Sequence, residues 1–285
     1  MDNNLQTLDT EMNQIVDAFS ADDNDALMQA TGQKSSGGDR REGLSRLNIN
    51  YDTETEDGQT LTRGDWKMFY DGEYIYTKDV YLRPILRTFE WSQFNAEEGI
   101  FSCKSVQKPT MTGDFPDTEG GSKCGRLLSS DEEKLGEDDP LRLKSRSAVC
   151  NQVIYGIASG SFVKGNGDKV KVEGHPVVSY FKRSGFIPIS SFINTLTKQK
   201  KIMQKCVIKI GTQRQKKGSV TFWIPVPSLS SETDITDSDK ELMKKFAETV
   251  KAHNESIMNQ YRDAVKLVSP AKDDDLAGDF NVANA

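Results

Sequence analysis

The stretch from Arg63 to Phe94, RGDWKMFYDGEYIYTKDVYLRPILRTFEWSQF, constrains the fold more than any other part of the chain. It holds nine aromatic residues, and its side chains alternate with the period of two that marks a strand. Trp66–Tyr70 and Glu73–Tyr76 read as a hairpin, because Asp71-Gly72 between them tolerates the positive φ of a tight turn. From Val80 onward the alternation predicts two faces: Val80, Leu82, Leu86 and Thr88 on one, Tyr81, Arg83, Ile85, Arg87, Phe89 and Trp91 on the other. The second face interleaves arginines with rings, as a surface for stacking bases and neutralising phosphates requires. The competing reading is the middle layer of a sandwich or barrel, with arginine stems covering apolar surface. Pro84 lacks an amide proton and predicts a sheet edge or a bulge there.

Charge is distributed unevenly. The chain carries a net charge of −6, yet residues 142–217 hold 16 basic and 2 acidic side chains. A local field of that sign attracts polyanions whatever the overall balance. Residues 1–62 are acidic, with 13 acidic and 4 basic side chains, and residues 229–285 carry 12 and 7. A basic body between acidic ends is the second organising feature.

No run of about 18 apolar residues predicts a membrane span. The N-terminus, MDNNLQTLDTEMNQ, has neither a basic n-region nor an apolar h-region, so the expected location is the cytoplasm, that of the host if the protein is viral. Cys103, Cys124, Cys150 and Cys206 include no C-x-x-C pair and read as free, mostly buried thiols. A zinc site from all four, or from three with His175, lacks the short ligand pair such sites usually show, and no metal or other cofactor is assigned. Nor is any catalytic residue: Asp114, Asp117 and Glu119 ahead of Lys123 match no nuclease spacing, and no hydrolase signature is present.

In order along the chain, residues 1–43 read as an acidic helical segment, with a stripe of Met12, Ile15, Val16 and Phe19, followed by a linker. Residues 44–230 read as the β core, opening with a strand at Leu44–Tyr51. Gly113–Arg126 is a glycine-rich ordered loop, and Asp131–Asp139 a solvated acidic one. A long strand follows Ala148, then two further strands at Lys169–Val172 and Val177–Phe181. Ser190 or Ser191 is expected to cap a helix with Phe192, Leu196 and Met203 near one face, and a hairpin over Cys206–Gln213 and Ser219–Pro227 is expected to carry a basic tip at Arg214–Gly218. Ser238 and Glu241 have capping-box spacing ahead of an amphipathic helix through residue 269, with Asn254 interrupting its apolar series. That helix is expected to cover a sheet face, a homodimer seam being the alternative. Residues 270–285 are too polar to fold and read as a disordered acidic tail with one hydrophobic anchor, Phe280.

Many short strands, a helix ahead of a final hairpin, aromatics among cations, and an acidic tail with a phenylalanine near its end resemble bacteriophage-type single-stranded-DNA-binding proteins of the OB-fold. The resemblance implies a mainly β, α+β chain: a partly open antiparallel OB-like barrel with insertions, a long C-terminal helix and a disordered acidic tail. It implies no enzyme activity, and sequence-tolerant binding of single-stranded DNA in phage replication or recombination. The residues expected to contact phosphate are Arg83, Arg87, Lys182, Arg183, Lys198, Lys201, Arg214, Lys216 and Lys217; those expected to stack are Tyr81, Phe89, Trp91 and Trp223. Asp273, Asp274, Asp275, Asp279 and Phe280 of the tail are expected to compete for the groove or to recruit replication or recombination proteins. In that family the tail aromatic is terminal or nearly so, whereas Asn281–Ala285 follow Phe280. The main rival is a non-enzymatic adaptor, a virion or replication-complex component whose cationic region meets an acidic protein surface.

Overall fold

The computed structural model describes residues 44–55, 58–95 and 98–268. The expected N-terminal helical segment and the acidic tail lie outside the described residues. The chain is mainly β, an antiparallel sheet with a long C-terminal helix.

The first strand is broken into β1 (Ser45–Arg46) and β2 (Asn48–Ile49) around Leu47. β3 (Trp66–Tyr70) and β4 (Glu73–Thr77) form the predicted hairpin, turning on Asp71 and Gly72 at φ 49 and 87. β5 (Val80–Asn95) is the central strand, followed by the short β6 (Ile100–Lys104). β7 (Val149–Lys164) and β8 (Lys169–Lys182) are long partners; β8 is one strand where two, Lys169–Val172 and Val177–Phe181, were expected. β9 (Cys206–Lys217) and β10 (Val220–Glu232) close the sheet at one end.

The pairing path returns on itself. β7 pairs with β4, β4 with β3, β3 with β2, while β8 pairs with β7 on one side and with β1 on the other. Counting β1 and β2 as one, this ring contains an odd number of strands, so it cannot close with antiparallel contacts alone. Its one parallel contact is Ser45 and Arg46 against Val177 and Val178. Trp66, Met68, Ile75, Phe162 and Val177 fill the interior, each at most 1% exposed. Beyond the ring, β5, β9 and β10 extend the sheet as an open arm.

Of the four α-helices among the described residues, the two longest pack on the sheet. α1 (Ser129–Glu132) overlaps the start of the region expected to be an acidic loop, and α2 (Pro140–Ser147) follows its end, starting where Asp139 accepts from the Leu141 amide. α3 (Phe186–Lys198) begins four residues before the expected serine cap and buries Ile189, Ile193 and Leu196 in the main core. Met203 lies beyond it, in a separate 3-10 turn.

α4 (Asp237–Val268) opens with a capping box two residues earlier than predicted: the Thr236 amide donates to Asp239 Oδ2 at 2.7 Å and the Asp239 amide to Thr236 Oγ1 at 3.2 Å. Its apolar stripe lies on the sheet. Phe246, 1% exposed, packs its ring 5.5 Å from Tyr155, a burial contributing about 1.5–3 kcal/mol. Asn254 interrupts that stripe for a reason: its side chain accepts from the Gln107 amide at 2.7 Å and donates to the Gln107 carbonyl at 2.9 Å, satisfying a backbone that has left the sheet. Beneath the helix, Glu90 is 5% exposed and accepts from Gln107 Nε2 at 2.9 Å and Asn151 Nδ2 at 3.3 Å. Burial pushes its carboxyl up, with His253 and these two amides pulling the other way. Among the described residues no helix is long and apolar enough to cross a membrane.

Candidate functional site

The two-faced reading of β5 is overturned by one residue. Pro84 pairs with Gly156 and Leu86 with Tyr155, leaving Ile85 as a bulge. Since faces alternate strictly, an extra residue exchanges them for everything downstream. Tyr81 and Arg83 therefore lie on one face, and Arg87, Phe89 and Trp91 on the other, together with Leu82. Phe89 is 6% exposed and packs with Val106, Phe115 and Ile257. Trp91 sits between Cys150 and the Cys103–Cys124 cluster. Phe89 is thus buried and Trp91 partly buried.

The arginines of β5 are equally committed. Arg83 forms a fork with Asp239, its two terminal nitrogens 3.0 and 2.9 Å from the carboxylate oxygens, and donates from Nε to the Gln204 carbonyl at 2.7 Å. It ties β5 to the start of α4. Arg87 donates to Gln152 Oε1 at 2.9 Å and Ser190 Oγ at 3.0 Å under α3, with its guanidinium 4.7 Å from the Phe89 ring; burial lowers its pKa.

The remaining predicted cations are at the surface but not in one place. Lys182 and Arg183 end β8 beside Arg46, whose guanidinium covers the Tyr180 ring at 4.9 Å. Partial burial, then Arg183 and Arg46, hold the Lys182 ammonium below the ordinary lysine range. Lys198 is exposed at the end of α3, and Lys201 is paired with Glu232 at 2.5 Å. Arg214, Lys216 and Lys217 are exposed on β9, in strand and not in a turn as predicted. No salt bridge among the described residues involves these three.

Arg214 lies directly across from Trp223 in the β9–β10 register. Trp223 in turn packs edge-on against Tyr51, with centroids 5.7 Å apart, and over Gly64. Tyr51 is 48% exposed. Its neighbour Asp52 holds Lys67 at 2.5 Å, and the Lys67 ammonium lies 5.5 Å from the centre of the Tyr74 ring. Tyr74 is 45% exposed and touches Phe69 edge-on at 5.4 Å. Tyr76, opposite Lys67 on β4, has its phenol pushed up by partial burial, then by Asp52 and Tyr74. A continuous run of rings and cations thus leads from Arg214 and Trp223 through Tyr51 to the outer face of β3–β4. Tyr81, 37% exposed, stands apart from it, opposite Lys209, which is paired with Asp79.

Tyr51, Phe69, Tyr74 and Tyr76 were missed from sequence, although the signal was present. In WKMFY and EYIYT, burying Trp66, Met68 and Ile75 forces Lys67, Phe69, Tyr74 and Tyr76 outward.

Gly64 fixes the junction. Its φ is 94°, and a Cβ there would fall 2.2 Å from Trp223 Nε1. Gly64→Ala is expected to cost about 2 kcal/mol through strain and overpacking and to turn the Trp223 ring out of place. Denaturant unfolding followed by tryptophan emission checks this; an unchanged midpoint would mean the ring is not seated there.

The histidines and loop carboxylates have structural partners. His175 Nε2 is 3.0 Å from Ser45 Oγ, with its ring against Tyr70, and burial lowers its pKa. His253 Nε2 lies 3.2 Å from the Ser105 carbonyl and 3.8 Å from Glu90 Oε2. Asp117, 1% exposed, accepts three backbone amides of its own loop. Neither a family model, nor a curated protein, nor a solved structure matches the chain.

Proposed function

We propose that this protein binds single-stranded DNA with little sequence preference, along the run from Arg214 and Trp223 through Tyr51 to Lys67, Tyr74 and Phe69. The observation that carries the reading is the continuity of the exposed Tyr51 and Tyr74 with the half-buried Trp223 and Phe69, ending at cations that pair with no carboxylate among the described residues. Rings offer sequence-tolerant stacking, and Arg214, Lys216 and Lys217 neutralise phosphates. We read the curled part of the sheet as an OB-like, partly open barrel with insertions. Its second and third strands are β3 and β4, the face on which OB-folds take oligonucleotides. The meander order departs from the Greek-key path of that fold.

In this reading the protein is not an enzyme. It serves phage replication or recombination in the host cytoplasm, alone or as a homodimer. Asp273, Asp274, Asp275, Asp279 and Phe280 compete for the cationic track and recruit partner proteins when displaced.

The test is a titration with oligo-dT across a salt series, read by tryptophan quenching. Log affinity should fall linearly with log salt, and Arg214→Ala, Lys216→Ala and Lys217→Ala together should reduce the slope by about 2, at about 0.7 per phosphate contact on a single strand. Trp66 is 1% exposed, so Trp223→Phe should remove most of the quench. A chain ending at residue 269 should bind more tightly, most of all at low salt. Absence of quenching with salt-independent binding would overturn the interface, and an unchanged affinity on truncation would overturn the role of the tail alone.

A further inference from the structure

Two pieces of chain meet beside Trp91: Cys103 comes from β6, while Asp117 and Cys124 come from the glycine-rich loop, Cys124 in its 3-10 turn at Lys123–Gly125. Their ligand atoms all lie within 4.8 Å of one another, and the residues are 1%, 1% and 0% exposed. The carboxylate orders its own loop by accepting three backbone amides, and the same contacts hold its remaining lone pair beside two buried thiols.

The loop spends conformational strain to build this corner. Lys123 and Cys124 both adopt positive φ, 56° and 53°, where side chains other than that of glycine are disfavoured. Asp117 is held rigidly: Oδ1 accepts the Glu119 amide at 3.1 Å and the Gly121 amide at 3.0 Å, and Oδ2 accepts the Cys124 amide at 2.8 Å. Four lone-pair directions are available on a carboxylate and three are taken, which leaves one on Oδ2. Amides bound to a ligating carboxylate are the usual outer support of a metal site. A cation stands next to the cluster as well, because Lys144 is held by Glu119 at 2.5 Å. Its ammonium offsets part of the negative charge that two thiolates and a carboxylate leave around a divalent ion.

The geometry points to a metal site in which Cys103, Cys124 and Asp117 hold one Zn²⁺ ion, with a fourth position taken by a non-protein ligand. Two thiolates favour a soft or borderline ion over magnesium or calcium, and zinc accepts the mixed sulfur and oxygen set in tetrahedral geometry. On binding, both thiols lose their protons to the buffer, two Zn–S bonds form, and no redox partner is needed. Without metal, Cys124 keeps its proton and donates toward the Trp91 carbonyl at 3.5 Å. Its pKa is pushed up first by the Cys103 hydrogen bond and then by burial. The ion would staple the loop to β6. Cys150 and Cys206 take no part, so the site draws on two of the four cysteines, which is why no short ligand pair announces it in the sequence.

The probe is Co²⁺ added to the reduced, full-length protein prepared metal-free. One equivalent should produce a thiolate-to-cobalt charge-transfer band with intense tetrahedral visible bands, and one equivalent of Zn²⁺ should abolish both. Cys103→Ser and Cys124→Ser should lose the charge-transfer intensity, while Cys206→Ser should keep it. Asp117→Asn should weaken binding at least tenfold. A wild-type protein that is folded and reduced yet gives no charge-transfer band overturns the proposal without recourse to any variant. So does a band that survives Cys124→Ser. If mild oxidation by a small disulfide such as oxidised glutathione consumes two thiols while cobalt never binds, the pair is a redox dithiol and the metal site is refuted.

Discussion

Tyr74→Ala combined with Trp223→Ala is expected to weaken oligo-dT binding on the order of a thousandfold at fixed salt. Each ring stacked on a base contributes about 1–3 kcal/mol, and two such losses give about 4 kcal/mol. The fold should tolerate the change. Tyr74 is 45% exposed, and Trp223 contacts Tyr51 and Gly64 at the surface and lies outside the central core. The informative control is Phe89→Leu. Phe89 is sealed among Val106, Phe115 and Ile257, so its substitution should lower stability by about 1 kcal/mol and leave affinity unchanged. The measurement is the same quench titration, with fluorescein-labelled oligo-dT anisotropy where Trp223 is absent. The reverse pattern, affinity lost with Phe89→Leu and kept in the double variant, would move the binding surface back to β5.

Arg83→Ala is expected to destabilise the fold by about 3 kcal/mol and to loosen α4 first. The Arg83–Asp239 pair has side chains 13% and 9% exposed, and removing one partner of such a pair strands the other. The low end of the range for buried pairs applies, because Asp239 lies in the first turn of α4 and keeps the Thr236 amide and hydroxyl as partners. Arg83→Lys should recover little, since an ammonium cannot span both carboxylate oxygens and the Gln204 carbonyl at once. Amide exchange should speed up across residues 237–268 before it does in β7. The salt dependence of oligo-dT binding should not change. An altered slope with unaltered stability would mean that Arg83 meets phosphate, as its place among aromatics in the sequence had suggested.

Much of the sheet was legible because its signals are local. Asp71-Gly72 set the β3–β4 turn, Pro84 announced the bulge, and the 3.6-residue stripe through Phe246 and Ile257 announced α4. The helix start was read two residues late because Ser238 and Glu241 mimic the box that Thr236 and Asp239 form. Asn254 looked like a flaw in an apolar series until its partner, the backbone of Gln107, was in view. The convergence of Cys103, Asp117 and Cys124 could not be read at all, since a 20-residue separation between cysteines says nothing about distance in space.

By itself, the sequence determined which residues alternate, where the chain must turn, and that a basic middle lies between acidic ends. Those properties depend on backbone sterics and on side-chain identity over a few residues. Only the tertiary structure decided which face of β5 looks inward beyond Ile85, because with a period of two a single unpaired residue exchanges buried and exposed positions for the rest of the strand. That exchange turned Phe89 and Trp91 into packing residues. It is the register of β3 against β4 that left Phe69 and Tyr74 side by side on the outside.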